Sequence, residues 1–571
     1  MSDVDAIEIA AIAVLCVLAI GGANTLAPRL RIAAPLLLVA VGVGVSLLPQ
    51  VPEFHISPEL ILVGVLPPLL FAAARAMPVM DVKRDFQAIG ALSILLVIIS
   101  SLLLGVFFTL VLPDVSYALG VALGAILSPT DAVATGTIKR AGAPNRIVTV
   151  LSGESMFNDA TALVLLRAAI AATAASISVF GVVINFVWAM AGAAVVGAVV
   201  GWLFNAVRNR IQAPAVATAV SFTAPYLAYL PAELIGTSGL VSAVAAGLIS
   251  GRLAIRHLPA THRQSDLQNW RMVEVVLEGG VFLLMGLELY TLIDDVREAR
   301  DTWLHAVWPA AAALALVLLI RLAFVGPLVW LLDRRTTRMI AREPEVAALR
   351  ENLPSNPADD DTAGFRIRLR LDRRLADINY YRTETMGGPE AMVVVWGGLR
   401  GAVTLAAAQT LPTDTPHRSL LILIAFFVAA MSLGIQGGTI GWLLRRLPLP
   451  DQTADLRAEK GRLRGEMLDI VQRMLVDPEV IGDDSVLANQ VKLVRDLETP
   501  DMDDGDPADP QESDALDMRL ENARELRRVR RMVIDEQRRA LLAFRDRGTY
   551  SSRALTAELH KLDAEEISLN V

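Results

Sequence analysis

Residues 117–173 read YALGVALGAILSPTDAVATGTIKRAGAPNRIVTVLSGESMFNDATALVLLRAAIAAT. Two apolar stretches lie within them, 117–138 and 148–173. Each is long enough to cross a bilayer as a helix, for which about 17–25 residues suffice. Each also carries side chains at its centre that lipid should reject. The first holds Ser128-Pro129-Thr130-Asp131, the second Glu154-Ser155-Met156-Phe157-Asn158-Asp159. An ionisable group at a helix centre costs about 2.5–3.5 kcal/mol or more in lipid, so such residues mark interior or water-lined functional sites. Pro129 removes a backbone donor and disfavours helical geometry at Ser128, so the first helix is expected to break there. A break at membrane depth is tolerated where the freed backbone lines a cavity.

On the second helix Glu154 and Asn158 are one turn apart, as are Ser155 and Asp159. A hydroxyl, an amide and two carboxylates thus share two turns. Oxygen ligands of this kind suit a hard cation such as Na⁺, and one carboxylate can exchange a proton for it. A lone aspartate could serve packing only; four such groups in six residues argue for an ion site.

Working outward, the 571-residue chain is 54 % hydrophobic and 20 % charged, with a mean hydropathy of +0.49. That excludes an ordinary soluble multidomain enzyme and a disordered or fibrous chain. The apolar excess is Ala, Val, Leu, Ile and Gly rather than aromatic, which suits closely packed helices in lipid. The single cysteine, Cys16, excludes an internal disulfide framework and a multi-cysteine metal site. The net charge of −8 belongs to the end of the chain. Residues 447–571 hold 19 basic and 28 acidic residues, leaving 33 and 32 in the first 446. No basic nucleic-acid-binding surface is indicated.

Thirteen apolar spans are expected, near 6–27, 33–50, 57–75, 87–112, 117–138, 148–173, 178–206, 213–230, 234–254, 272–292, 304–332, 390–411 and 418–444. The acidic flank Met1–Asp5 argues against a secretory signal in the first. Lys and Arg accumulate after every odd-numbered span, with Arg297, Arg300 and Arg418 as exceptions. By the positive-inside rule this places the N-terminus outside and the C-terminus in the cytoplasm. The polar stretch 334–389 is then a cytoplasmic loop, either a solvated linker or a regulatory or lipid-contacting insertion.

Three further ionisable residues fall inside spans: Glu278, Arg321 and Arg400, the last within Gly397-Gly398-Leu399-Arg400-Gly401. Arg321 needs a counter-charge, with Glu154 the first candidate and Glu278 the second. If Arg321 neutralises Glu154, Asp159 remains as the titrating carboxylate. Asp131 either caps a half-helix N-terminus or supplies a supporting hydrogen bond. The glycines around Arg400 suggest a second broken helix. It lies seven spans after the first, an offset that gives opposite orientations, as an inverted repeat requires.

These residues resemble the cation:proton antiporter family of bacterial NhaP-type and eukaryotic sodium/proton exchangers. The resemblance rests on Glu154-Ser155 with Phe157-Asn158-Asp159, on Ser128-Pro129-Thr130-Asp131, and on Gly397-Gly398-Leu399-Arg400-Gly401-Ala402. Leu66-Pro67-Pro68-Leu69-Leu70-Phe71 and Ser238-Gly239 add to it, and it covers residues 1–446. It implies an all-α polytopic antiporter fold, with about thirteen transmembrane helices in an inverted repeat and two crossing broken helices. It also implies a homodimer and elevator-like movement. By the same resemblance Asp159 binds the ion beside Asn158, and Ser155 and the backbone of Thr130 complete the metal-ion coordination, with Asp131 nearby. Glu154 and Arg321 form a structural ion pair, and Arg400 supports the broken helix. No cofactor is implied; the ligands are the transported Na⁺ and H⁺. With Asn158 neutral, one carboxylate titrates, so exchange is expected to be one-for-one and electroneutral.

Residues 447–571 form a cytoplasmic tail, with helices expected at 452–475, 516–545 and 555–569 around an acidic linker, 499–514. It is either a regulatory domain or a solvated helical tail. The expected function is therefore Na⁺/H⁺ exchange (K⁺ and Li⁺ being the other candidate ions) in a bacterial plasma membrane. No enzymatic activity is expected, and the partners are the cation, the proton, lipid and a second copy. A cation channel or uniporter using the same carboxylate is the alternative, although no pore-loop repeat appears. A membrane sensor is weaker, because the tail has no catalytic or DNA-binding motif.

Overall fold

The computed structural model describes residues 6–30, 32–48, 58–131, 133–174, 179–298, 304–352, 362–450, 453–476 and 511–569. Among these residues every regular element is helical. Seven helical runs among the described residues are long and apolar enough to cross a membrane, and four shorter ones are also apolar in character. The contacts divide the chain into two units. One comprises 1–258, 265–341 and 381–450; the other comprises 259–264, 342–380 and 451–571.

The first unit opens with α1 (Ala6–Leu30), α2 (Ala34–Ser46) and α3 (Leu60–Ala76). Its middle section holds α4 (Phe86–Val111), α5 (Tyr117–Leu127), α6 (Val133–Arg140), α7 (Asn145–Ala174) and α8 (Val179–Arg208). These are followed by α9 (Pro214–Leu234), α10 (Gly239–His257) and α11 (Ala260–Leu287), whose first turn belongs to the other unit. The unit closes with α12 (Leu304–Ala341), α13 (Gly388–Trp396), α14 (Ala402–Gln409) and α15 (Arg418–Arg446).

Local chemistry explains the ends of these helices. Ser116 and Ser238 cap α5 and α10, their hydroxyls accepting from the backbone N–H groups of Leu119 (3.2 Å) and Val241 (3.4 Å). In α3 the adjacent Pro67 and Pro68 supply no N–H to the turn before them. That turn, Leu60–Val65, is wound as a π-helix.

Glycines set how closely the helices approach. A methyl group at Gly247 of α10 would lie 2.6 Å from the Phe71 carbonyl oxygen of α3, and one at Gly251 would strike the Arg75 carbonyl. Gly197 and Gly201 seat α8 on α10, and Gly120 and Gly124 seat α5 on α4, in the same way. Small residues four apart permit this backbone contact, which supplies the packing attraction between helices in lipid. Around these crossings runs an apolar core of alanine, leucine and valine that includes Leu123, Ile126, Ala160, Val244 and Leu421.

At 38 residues, α12 is about 57 Å long at 1.5 Å per residue, nearly twice the hydrocarbon thickness. Arg334 stacks on Trp330 near its far end, 3.8 Å from guanidinium carbon to ring centroid. The polar stretch 334–389 is thus more structured than a bare linker. It includes the end of α12, two further helices (Glu343–Glu351 and Thr362–Thr383) and the start of α13. Its acidic run 359–361 lies outside the described residues.

The second unit is built on α16 (Thr453–Val476), α17 (Gln511–Arg547) and α18 (Ser552–Leu569). Leu463, Met467, Ile534, Leu541, Phe544, Leu555 and Leu562 form its core, with the rings of Phe544 and Tyr550 5.5 Å apart. Glu459 accepts from the Ser551 N–H (2.6 Å) and hydroxyl (2.7 Å) at the start of α18. Arg263 and Arg538 both engage Asp563, and Arg373 donates to the Asp546 carbonyl (2.6 Å). Of the expected linker 499–514, residues up to 510 lie outside the described ones, while 511–514 are already helix.

Candidate cation site at two interrupted helices

α5 stops at Leu127, before Pro129, and α6 resumes at Val133. α13 stops at Trp396, and α14 resumes at Ala402. The two interruptions touch, with the Asp131 N–H donating to the Leu399 carbonyl at 2.7 Å.

The exposed helix ends are matched by charge. Arg400 Nε donates to the Leu127 carbonyl at the end of α5 (3.1 Å). Arg321 donates to the Val394 carbonyl of α13 through Nε (3.0 Å) and Nη2 (2.9 Å). Both guanidiniums therefore lie at helix C-termini, the negative ends of the dipoles. The Asp131 carboxylate lies against Gly401, the residue that starts α14, at a positive end. Two glycines make room for these charges. A methyl group at Gly398 would meet the Arg321 guanidinium at 2.6 Å, and one at Gly401 would occupy the place of the Asp131 carboxylate.

From α7, Glu154 pairs with Arg321 through both oxygens, Nη2 to Oε2 at 2.7 Å, and both side chains are about 1 % exposed. Glu278, the other candidate for Arg321, lies instead within electrostatic range of Asp131, Glu274 and Arg140. The Thr130 hydroxyl donates to Glu154 Oε1 (3.3 Å) and accepts from Asn158 Nδ2 (2.7 Å). Asn158 thus donates to Thr130 and Thr130 to Glu154, which accepts from Arg321 on its other side. This fixes the Asn158 amide with its oxygen on the other side. That oxygen is buried and has no hydrogen-bond partner among the described residues.

Asp159 is the next residue. Its side chain is buried and makes no hydrogen bond or ion pair among the described residues, and Asp131 is within electrostatic range. The Ser155 hydroxyl donates to the Ser152 carbonyl of its own helix (3.2 Å). The structure therefore brings Asn158, Thr130, Glu154 and Arg321 into one network, with Asp159 beside it and Asp131 and Arg400 at the interrupted ends. A carboxylate and an amide oxygen, both without protein donors among the described residues, have the chemistry to take an oxygen-loving monovalent cation or a proton.

Residues 12–446 match the family described as sodium/hydrogen exchanger, transmembrane. The chain belongs to that family. Among relatives of this exchanger, an uncharacterized Na⁺/H⁺ exchanger of Escherichia coli K12, YjcE, is 26 % identical over 97 % of both chains. The Na⁺/H⁺ antiporter NhaP of Pseudomonas aeruginosa is 29 % identical over 68 % of this chain and 81 % of its own. The sodium proton antiporter MjNhaP1 of Methanocaldococcus jannaschii shares the fold. Its TM-score is 0.53 at 18 % identity, covering 76 % of the exchanger and 98 % of the solved chain. The exchanger is thus a multi-pass membrane transporter rather than an enzyme.

Several polar residues at the exchanger's interruptions carry no charge and so do not stand out as ionisable groups in an apolar span. Ser100 and Ser101 of α4 hold the Ser128 hydroxyl at 2.8 and 3.1 Å. Ser432 and Gln436 of α15 are fully buried against α13. A polar side chain inside an apolar span was the available signal. Arg418, an exception to the loop-charge pattern, caps the far end of α14 by donating to the Gln409 (2.8 Å) and Leu411 (2.9 Å) carbonyls.

Proposed function

We propose that the chain exchanges Na⁺ for H⁺ one-for-one, with Asp159 carrying either the cation or the proton in alternating access. The observation that supports this most is a contrast between two neighbouring carboxylates. Glu154 is neutralised by a bidentate arginine; Asp159 faces no protein cation among the described residues and follows Asn158, whose amide oxygen has no hydrogen-bond partner there. The first has the chemistry of architecture, the second that of an exchangeable site. The Ser155 hydroxyl and the backbone of Thr130 supply the further ligands in this reading. Asp131 stays at the start of α14, and Arg321 and Arg400 hold the broken ends.

The reading extends to the whole molecule. Thirteen passes form an inverted repeat around the two interruptions. The N-terminus is outside, the tail is in the cytoplasm of a bacterial cell, and two copies pair in the plasma membrane. The relatives' names favour Na⁺ as substrate; K⁺ and Li⁺ are tested beside it.

Proteoliposomes with a lumenal pH dye test the proposal. Na⁺ should drive proton movement in wild type, Asp159→Asn should abolish it, and an imposed potassium–valinomycin potential should leave the rate unchanged. Cation flux without proton counterflow would mean a channel or uniporter instead. A rate that follows the potential would end the electroneutral assignment while leaving exchange intact.

A further inference from the structure

A continuous α-helix through residues 396–400 would join the Arg400 N–H to the Trp396 carbonyl, the bond between residues four apart. Here a relay of two side chains takes its place. The Arg400 N–H donates to the Ser432 hydroxyl (2.9 Å), which donates to Gln436 Oε1 (2.6 Å), and Gln436 Nε2 donates to the Trp396 carbonyl (2.9 Å). Every donor and acceptor in the relay is used in one direction only. The hydroxyl has a single proton, which Gln436 takes, so toward Arg400 it can only accept. Ser432 and Gln436 are fully buried. They lie one turn apart on α15, and Gln436 falls within its π-wound stretch Leu433–Gly437. Side chains inserted into a helix's own bonding ladder are a recognised cause of sharp helix breaks.

We infer that Ser432 and Gln436 are positioning residues that keep the α13–α14 interruption open and so set the cation affinity of the Asp159 site. The inference rests on the cation-site reading above. The path is short. Without the relay, the Arg400 N–H and the Trp396 carbonyl lose these partners, and the bond that a continuous helix would make between them draws 397–401 toward helix. That stretch presents the Leu399 carbonyl, which holds the Asp131 N–H at 2.7 Å, and Gly401, which houses the Asp131 carboxylate. Asp131 precedes α6 and lies within electrostatic range of Asp159, while its neighbour Thr130 orients Asn158. Closing the break by one bond therefore displaces the groups that shape the site without touching Asp159.

The test compares Ser432→Ala, Gln436→Met, the double variant and Ser432→Thr in full-length protein. Two readouts are taken: KM and kcat for Na⁺-driven proton movement in proteoliposomes, and the Na⁺-dependent rise in melting temperature of purified protein. Each single variant should raise KM, and the Na⁺ concentration needed for a given rise in melting temperature, by at least about fivefold, the effect of losing one buried hydrogen bond. Their kcat should stay within about twofold. The double variant should be no worse than the poorer single one, because either change breaks the same relay. Ser432→Thr, which keeps the hydroxyl, should stay near wild type. Unchanged KM in folded Ser432→Ala, additive losses, or a Thr variant as impaired as the Ala variant would each overturn the assignment. If wild type itself shows neither Na⁺ stabilisation nor exchange, the cation-site reading fails first.

Discussion

At the scale of single residues, two carboxylates five positions apart on α7 sit in opposite electrostatic settings. Glu154 and Arg321 are mutually satisfied and nearly inaccessible. Removing one member of such a pair leaves an uncompensated buried charge, a loss of about 3–5 kcal/mol, whereas replacing both with apolar residues is often tolerated. Glu154→Leu or Arg321→Met alone should therefore lower the melting temperature sharply, and the double variant should recover much of it. Neither pattern is expected for Asp159→Asn, which should abolish exchange with little loss of stability. A thermal scan in detergent distinguishes the two classes of carboxylate. Much of this was legible in the residues themselves, because charge in an apolar helix is conspicuous. The direction of the Asn158–Thr130–Glu154 chain was not, since hydroxyl and amide orientation depends on partners distant in sequence.

Elements meet by backbone proximity, and the sequence announces this only indirectly. The stop at Ser128-Pro129 follows from proline's missing donor, and the second interruption from its cluster of glycines. What those glycines accommodate emerges only in three dimensions: Gly398 clears the Arg321 guanidinium, and Gly401 clears the Asp131 carboxylate. The crossing of α3 and α10 has no such functional cargo and tests packing alone. Gly251→Val would drive a branched side chain into the Arg75 carbonyl, with no flexible atom to yield. The expected result is a melting temperature lowered by several degrees or loss of the folded peak in size-exclusion chromatography. Gly44→Val, where a methyl group meets nothing within 4 Å, should behave as wild type.

For the molecule as a whole, hydropathy separated the membrane part from the polar remainder. It gave no hint that 259–264 and 342–380 share a compact unit with the end of the chain. Such grouping depends on contacts like Arg263–Asp563, 300 residues apart, for which no local pattern exists. The second unit has its own apolar core, and Phe544→Ala should cost it about 3–5 kcal/mol. Limited proteolysis should then cut within 453–569 at protease levels that spare wild type, while the thermal transition of the membrane helices stays in place. In the first unit, α12 bears Arg321 and runs on for twenty residues beyond it without a break in the helix. A rod of that length is a lever. Pro309 and Pro327 lie within it, and between them Arg321 holds Glu154 of α7. A push on the distal arm would therefore bear on the ion pair that braces the scaffold beside Asp159.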